Sequence, residues 1–274
     1  MAALEGRHLC APAGQHQLGV WGVLWRRECF ERIGGYDLTP EANDDWRNWL
    51  RIAKRGYEFD CVEMPMLFVR RHSESLTVTQ RYDVLRRELG TVDQIRSECN
   101  IPKAVLDKAY ARISWPLCVE ALRQDDTHQA VLYFRQAVSH DPTLLDHSDT
   151  YFTLARWGES AAGQERSALI RGRLESIAVM LRDLFSWDQL PQVIAGRADA
   201  SWGLAYLCLA RMAHGLVPPN EAVARTMLMR ALSKDPRLLL YRGTSVWVLR
   251  ILAGQRLCRV GHRLKARLEQ YCKV

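Results

Sequence analysis

The chain has 274 residues, of which 48% are hydrophobic and 25% charged, values ordinary for a globular protein of one large domain or two modest ones. Its eight cysteines are widely spread and form no Cys-x-x-Cys pair, which argues against a zinc site and against a small disulfide-stapled fold. The formal net charge of +7 favours anionic partners, but no nucleic-acid-binding motif accompanies it. We therefore expect no nucleic-acid partner.

Targeting and membrane signals are absent from the sequence pattern. The first residues do not combine a basic region with an apolar core, as a signal peptide does. The most apolar stretch, Trp202 to Val217, is interrupted by Arg211 and His214 and is a poor candidate for a membrane span. We expect a cytoplasmic protein whose thiols are reduced and mostly buried.

Residues 18–72 carry strand signals among helical ones. Leu18 to Trp25 is apolar and punctuated by glycine, which suits a buried strand. Tyr57 to Cys61 alternates apolar with polar residues, as on a half-buried strand, and Met66 to Val69 is a further short candidate. This segment therefore predicts a mixed α/β fold.

Two helices are predicted between these strands. The first covers Arg26 to Ile33 and is followed by Gly34-Gly35, a pair that permits positive φ in a turn. The second begins at Asn43 or Asp44 as N-cap and ends near Gly56. Asp44 and Asp45 lie at its positive end, where a carboxylate is stabilised in its ionised form. One face of this helix carries an apolar stripe: Trp46, Trp49, Leu50 and Ala53.

Helical periodicity replaces the strand signals from about Thr79, and we predict a domain boundary near residue 80 followed by seven or eight helices. Two stretches 94 positions apart share small residues at the same spacing and an Asp-Pro pair past the helix end. They resemble the second helix of a tetratricopeptide repeat, and the preceding helices are expected at 107–124 and 199–215. The alternative is helix pairs that pack without forming a peptide-binding groove. The shared positions are Ala130, Phe134, Ala137 and Asp141-Pro142 in one stretch, and Ala224, Leu228, Ala231 and Asp235-Pro236 in the other.

Four short motifs follow one another between Gly19 and Thr77. An arginine pair and a phenylalanine precede Gly-Gly-Tyr-Asp; two acids precede Trp-x-x-Trp-Leu-Arg; then come Gly-Tyr and an Arg-x-His segment. In this order they resemble the second half of the catalytic domain of inverting family-2 glycosyltransferases, which have the GT-A fold. The motifs occupy residues 26–37, 43–51, 56–57 and 68–77.

The resemblance implies roles for five residues. Asp45 would be the general base that takes a proton from the acceptor hydroxyl, and Asp44 stands where the family usually has glutamate. Trp46 would help to shape the acceptor pocket, or would be a core aromatic residue. Arg70 and His72 would lie near the donor diphosphate and its metal ion, with His72 as a metal ligand or, alternatively, a surface histidine.

The resemblance also implies a divalent cofactor, Mg²⁺ or Mn²⁺, which the family holds with an Asp-x-Asp motif in its N-terminal half. The chain contains no Asp-x-Asp, and fewer than twenty residues precede the matching segment. We therefore expect a partial GT-A α/β segment at 1–80 and an all-α helical domain at 81–274. The expected enzyme transfers sugar from a nucleotide-sugar to a glycan or lipid-linked acceptor, such as a cell-envelope polysaccharide, and is inactive as an isolated chain.

The basic C-terminal stretch and the helical half each suggest a further hypothesis. Between Val246 and Leu268, arginines and a lysine alternate with aliphatic residues. Such a helix could lie on the anionic inner face of a membrane, or could pack on its neighbours with a solvated basic face. The alternative to an enzyme is a non-catalytic helical interaction protein, in which residues 80–274 are the working part.

Overall fold

The described part of the chain is helical. The computed structural model describes residues 23–36, 44–60, 68, 70, 72–75, 79–98, 100–156, 166–216, 219–240 and 245–253. No residue within these ranges belongs to a β-strand, and none of the helices found there is long and apolar enough to cross a lipid bilayer. The chain divides into two compact units, residues 1–141 and 142–274, and residue 80 lies inside the first.

The α/β fold predicted for residues 1–80 is therefore wrong for the part of that segment that the structure describes. Residues 57–60 are not helical, but they are not paired as a strand either, and the same holds for residues 23–26. Of the third predicted strand only Phe68 is described, and it too lies outside any strand. A strand requires a neighbouring strand for its backbone hydrogen bonds, and no described segment supplies one.

The alternation that predicted a strand at residue 57 has a different physical cause. Helix α1 (Arg27–Ile33) and helix α2 (Asp44–Lys54) share a small buried core. Tyr57 and Phe59 both pack against this core. Their spacing of two residues therefore directs both side chains towards the helix pair and not towards one face of a sheet. The core residues are Cys29, Ile33, Trp49 and Ile52.

Glycines end both of these helices, as predicted. Gly34 caps α1 with φ of 84°, and Gly35 follows with φ of 77°. Gly56 follows α2 with φ of 82°. These values lie in the left-handed region that glycine enters without a steric penalty.

The described part of the first unit also contains the helices α3 (Arg81–Glu98), α4 (Lys103–Arg123) and α5 (Thr127–His140). Helix α4 packs against both of the others, and α4 with α5 forms a hairpin joined by three residues. The residues that form the core between these helices recur at helical spacing. Each helix therefore has an apolar face that packs against its neighbours. They are Val92, Ala109, Tyr110, Ile113 and Leu117.

The second unit centres on α9 (Ala198–Gly215), which packs against α6 (Ser148–Arg156), α7 (Arg166–Phe185) and α10 (Glu221–Lys234). A short helix α8 (Gln192–Ala195) precedes α9. Two 3₁₀ turns, Pro142–Asp146 and Pro236–Leu240, follow α5 and α10, and residues 245–253 are helical.

The two hairpins, α4–α5 and α9–α10, both bury small side chains on their paired helices. In each hairpin these include four completely buried positions that lie on both of its helices. A small side chain lets the two backbones approach closely, so the helices make favourable van der Waals contacts along the length of the hairpin. The buried positions are Cys118, Ala121, Ala130 and Ala137 in the first hairpin, and Ala210, Ala213, Ala224 and Ala231 in the second.

The second helix of each hairpin also begins in the same way, at positions 94 residues apart. The side chain of Asp126 accepts a hydrogen bond of 3.0 Å from the backbone N–H of Gln129. Asn220 does the same for the backbone N–H of Val223 at 3.2 Å. Each cap satisfies one of the backbone donors that a helix leaves free at its start. The two hairpins therefore share capping as well as packing.

Gly203 marks a close approach between α9 and the residue that follows α10. A Cβ atom added at this position of α9 would lie only 2.9 Å from the Cβ of Asp235, just after α10. Asp235 is itself held in place, because its carboxylate accepts hydrogen bonds from the backbone N–H and the guanidinium of Arg237. No side chain larger than hydrogen fits at Gly203 unless the two helices separate.

Gly203→Ala should therefore lower the free energy of unfolding by about 1 kcal/mol, because the clash outweighs the gain in helix propensity. Gly90→Ala is the matched control, since Gly90 also lies within a helix but has open space around its Cα. The control should raise the free energy of unfolding by about 0.5–1 kcal/mol. Urea unfolding followed by circular dichroism measures both changes. Equal stabilisation by the two substitutions would contradict the close approach of α9 to the end of α10.

Candidate functional site

A cavity of ≈ 370 Å³ lies in the first unit, where the beginning of α3 meets the second half of α4. This volume is near the lower end of the range of roughly 300–1,000 Å³ that small-ligand sites occupy. Its wall combines apolar and charged side chains, and it is open to solvent. The lining residues are Arg81, Trp115, Pro116, Val119, Glu120 and Arg123.

Helix periodicity places the lining residues of α4 on one face. Trp115, Val119 and Arg123 are each four positions apart, so their side chains follow one another along the helix surface. The opposite face carries Leu117 and Cys118, both completely buried in the helical core. The core therefore fixes the orientation of α4, and this orientation turns the Trp115 face towards the cavity.

A shared carboxylate organises the charges of the cavity. One oxygen of Glu120, Oε1, lies 3.0 Å from Nε of Arg81 and 3.1 Å from Nη1 of Arg123. The Glu120 side chain is only 11% exposed, whereas both arginine side chains are 52% exposed. Two half-exposed guanidinium groups are thus held beside one buried carboxylate, and the three side chains together carry a net charge of +1.

Glu120→Gln should lower the free energy of unfolding by about 1 kcal/mol, because it removes the negative charge that both guanidinium groups contact. The effect stays small since solvent screens both arginines. Urea unfolding measures it, with Glu74→Gln as control, because Glu74 is an exposed glutamate. The same loss in both variants would contradict the role of Glu120 as the shared partner.

A second polar cluster joins three helices in the same unit. Asp107, on α4, has one carboxylate oxygen 2.6 Å from Nζ of Lys103 and the other 2.9 Å from Nδ1 of His140. The ring of Tyr110 stacks on that of His140 at 4.6 Å, and its hydroxyl donates a hydrogen bond of 2.5 Å to Asp93 on α3. The cluster thus ties α3, α4 and α5 together.

The ionisation of this cluster suits a structural role. Burial alone would raise the pKa of Asp107, but hydrogen bonds and charges from Lys103 and His140 outweigh burial and hold that pKa below its ordinary value. Burial, with the hydrogen bond to Asp93, raises the pKa of Tyr110 to about 12. At neutral pH Asp107 is therefore ionised and Tyr110 is protonated, and neither is poised to exchange a proton.

Asp107→Asn should be less stable than the natural chain at pH 6 by about 1 kcal/mol, because asparagine keeps the acceptor but loses the charge. A carboxyl whose pKa is lowered by folding stabilises the protein above its unfolded pKa of about 3.9, and this contribution disappears as the pH falls through the folded value. The difference between the two chains should therefore shrink below about pH 4. Urea titrations at pH values between 6 and 3.5 measure it, and a difference independent of pH would contradict the assignment.

The structure brings together only part of the predicted catalytic set. Asp44, Asp45 and Trp46 form the first turn of α2, but their side chains lie outside what the structure describes. Arg70 and His72 are exposed. The role of Asp45 as general base, and those of the other four residues in substrate binding, stay predictions.

Most of the described side chains of α2 are buried or partly buried. Trp49 and Ala53, from the predicted apolar stripe, are each only 1% exposed, and Leu50 is partly buried. Arg47 and Asn48 are also buried, so the helix has a wide buried surface. The stripe that suggested an acceptor pocket thus includes residues that pack against α1.

Metal binding has no support among the described residues. No group of three or more histidine, cysteine, aspartate or glutamate side chains is placed there to hold an ion. His72 is exposed, so the described residues do not form a ligand set around it. The expected Mg²⁺ or Mn²⁺ cofactor stays a prediction, since the side chains of Asp44 and Asp45 are not described.

Sequence patterns did not identify the cavity. Glu120 and Arg123 are three positions apart on a predicted helix, and that spacing is typical of a helical ion pair. Arg81 is 39 positions from Glu120 in the sequence, and only the packing of α3 against α4 brings them into contact. The cationic character of the cavity is therefore a tertiary property.

Comparison with protein-family models, with curated proteins and with solved structures finds no match for this chain. The resemblance to the GT-A domain of family-2 glycosyltransferases is corrected by the fold, because the described residues around its four motifs form helices and unpaired segments rather than a sheet. The motif order is therefore a similarity of short sequence patterns, which does not define a GT-A catalytic domain.

Proposed function

We propose that this chain is a non-catalytic helical interaction protein that binds a partner polypeptide through its first helical unit. The observation that carries the proposal is the cavity on α4, on the face opposite to the one that packs into the core. A rigid helix with one face buried and the other lining a cavity suits recognition of a peptide.

The chemistry of the described thiols supports a non-catalytic role. Cys29, Cys118 and Cys208 are free and buried, as predicted for reduced thiols. Burial raises the pKa of Cys118 to about 12 and also raises the pKa of Cys208. A thiol is nucleophilic only as the thiolate, so neither of these two side chains is available for covalent catalysis at neutral pH. Their burial favours a role in packing.

Three buried or partly buried carboxylates support the same role. Glu120 holds two arginines, Asp107 holds Lys103 and His140, and Asp235 holds Arg237. Hydrogen bonds from Arg237 lower the pKa of Asp235, despite the opposing effect of its burial. A general base must bind and release protons near the working pH. A carboxylate with a lowered pKa suits an ion pair instead.

An assay of sugar transfer distinguishes the proposed interaction function from a glycosyltransferase activity. Purified chain, incubated with UDP-glucose or UDP-N-acetylglucosamine and Mn²⁺, should release no more UDP than Asp45→Asn does. The variant is the matched control, because the sequence resemblance assigns proton abstraction to Asp45. Repeated turnover by the natural chain that disappears in Asp45→Asn would contradict a non-catalytic role.

Peptide selection tests the proposal directly. A phage-displayed library of random heptapeptides, selected on the immobilised full chain, should yield peptides that bind the folded chain. Binding should disappear when the chain is unfolded in urea, since a preformed surface is required. A selection that enriches no peptide above an immobilised control protein of similar charge would overturn the proposal.

A further inference from the structure

We propose that the helix at residues 245–253, called α11 below, rests its outer face on an anionic lipid membrane, with the basic residues that follow it against the lipid headgroups. In this contact the helix lies in the plane of the headgroups and does not span the bilayer. The contact involves the second unit alone. It goes beyond the proposed interaction function, which depends on the cavity in the first unit.

One face of α11 is held by the second unit. Val248 and Ile251, three positions apart, are buried in the same core cluster as residues of α9 and α10. The guanidinium group of Arg211, on α9, lies 4.8 Å from the centroid of the Trp247 ring. Side chains three or four positions apart lie on one side of a helix, so these contacts determine which side of α11 faces away from the core.

The outer face of α11 is apolar, whereas the exposed face of a surface helix is ordinarily polar. Val246, Leu249 and Leu252 recur every three residues and are 48%, 67% and 49% exposed. The 3₁₀ turn at Pro236–Leu240 enters the same core through Leu238, and its Leu240 is 82% exposed. A row of large aliphatic side chains in water is unfavourable, so an exposed face of this kind indicates a binding surface.

The structure combines the two alternatives that the sequence left open for this part of the chain. Helix α11 does pack on its neighbours, but the face that it leaves exposed carries aliphatic rather than basic side chains. Arg250, the single charged residue of α11, lies over the Trp247 ring at 5.3 Å from its centroid. The apolar surface is therefore ready to enter a lipid layer while one side of the helix remains in the core.

The sequence that follows α11 indicates the charge of the lipid. The structure of residues 254–268 lies outside the described residues, but their sequence contains five lysines and arginines and no aspartate or glutamate. The first of them, Arg256, is three residues beyond Ala253, so the chain cannot carry it more than about 11 Å from the end of α11. Basic residues this close to a bilayer are attracted by anionic headgroups. The five are Arg256, Arg259, Arg263, Lys265 and Arg267.

Exposed leucines next to arginines favour lipid over nucleic acid. A nucleic acid presents phosphates and base faces, and its binding surfaces combine cations with aromatic side chains. Aliphatic side chains such as Leu249 would gain little from such a partner. An anionic bilayer offers both kinds of contact, because its headgroups attract the cations and its acyl boundary, about 5–10 Å deeper, accepts the aliphatic face.

Flotation of the purified full chain with vesicles tests this contact. One set of vesicles contains phosphatidylcholine alone, and the other contains about 30% phosphatidylglycerol. The mixed vesicles should bind the chain at least about tenfold more strongly, because only they attract the basic residues. Raising the salt concentration from about 0.1 M to about 0.5 M should weaken this binding at least about fivefold, since salt screens the charges.

Two variants test whether the apolar face takes part. Leu249→Ser should weaken binding to the mixed vesicles by at least about fivefold, because serine gains nothing from the acyl boundary. Val193→Ser is the matched control and should change the affinity by less than about twofold. Val193 is 64% exposed, close to the 67% of Leu249, and does not belong to the core cluster that holds α11. Both variants should keep the melting temperature of the natural chain, which circular dichroism measures, because both side chains are largely exposed.

Arg259→Gln combined with Arg263→Gln tests the charges. This double variant should bind the mixed vesicles at least about fivefold more weakly, and its affinity should depend less on salt. An unchanged affinity would show that the basic residues do not contact the headgroups and would overturn the inference.

Other outcomes would overturn the inference as well: no binding to the mixed vesicles, equal binding to both compositions, or equal binding by Leu249→Ser and the natural chain. Tighter binding to a 12-mer DNA single strand or to polyglutamate than to the mixed vesicles would also overturn it, and would assign the surface to a nucleic acid or an acidic protein. The peptide selection on the full chain does not depend on lipid, so the membrane contact and the interaction function can fail separately.

Discussion

Close packing of paired helices through small, fully buried side chains is the constraint on which the described structure depends. In each hairpin completely buried small side chains lie on both helices, and Gly203 allows the backbone of α9 to approach Asp235. Once this seam is buried, the rotation of each helix about its axis is determined, because turning it would expose alanine and insert larger side chains. The face on which every other residue lies follows from that rotation.

The polar groups follow the same constraint. The cap residues Asp126 and Asn220 each accept a hydrogen bond from a backbone N–H at the start of the second helix of a hairpin. The Asp107 network ties α4 to α3 and α5. Rotation of α4 brings Trp115 and Glu120 to the surface that meets the first residue of α3. The same packing that stabilises the first hairpin thus also creates the cavity beside α4.

The similarity to a glycosyltransferase shows how short patterns can mislead. Alternating residues such as Tyr57 and Phe59 have the same spacing whether they face a sheet partner or a pair of helices, and the sequence signal cannot distinguish the two. Glycine pairs and tryptophans occur in both settings because both require turns and large core side chains. The decision depends on whether a neighbouring strand exists, and that information is not local.

The sequence by itself determined the local features: helices from about residue 80, the glycine ends of α1 and α2, and the spacing of small residues that predicts two hairpins. These features depend on contacts within a few turns of one helix, so periodicity and capping reveal them. Only the tertiary structure decided that α1 and α2 pack on each other, with no sheet among the described residues around them, and that Arg81 and Glu120 meet. Those pairs are distant in the chain, and their contact results from the packing of whole helices, which no short pattern encodes.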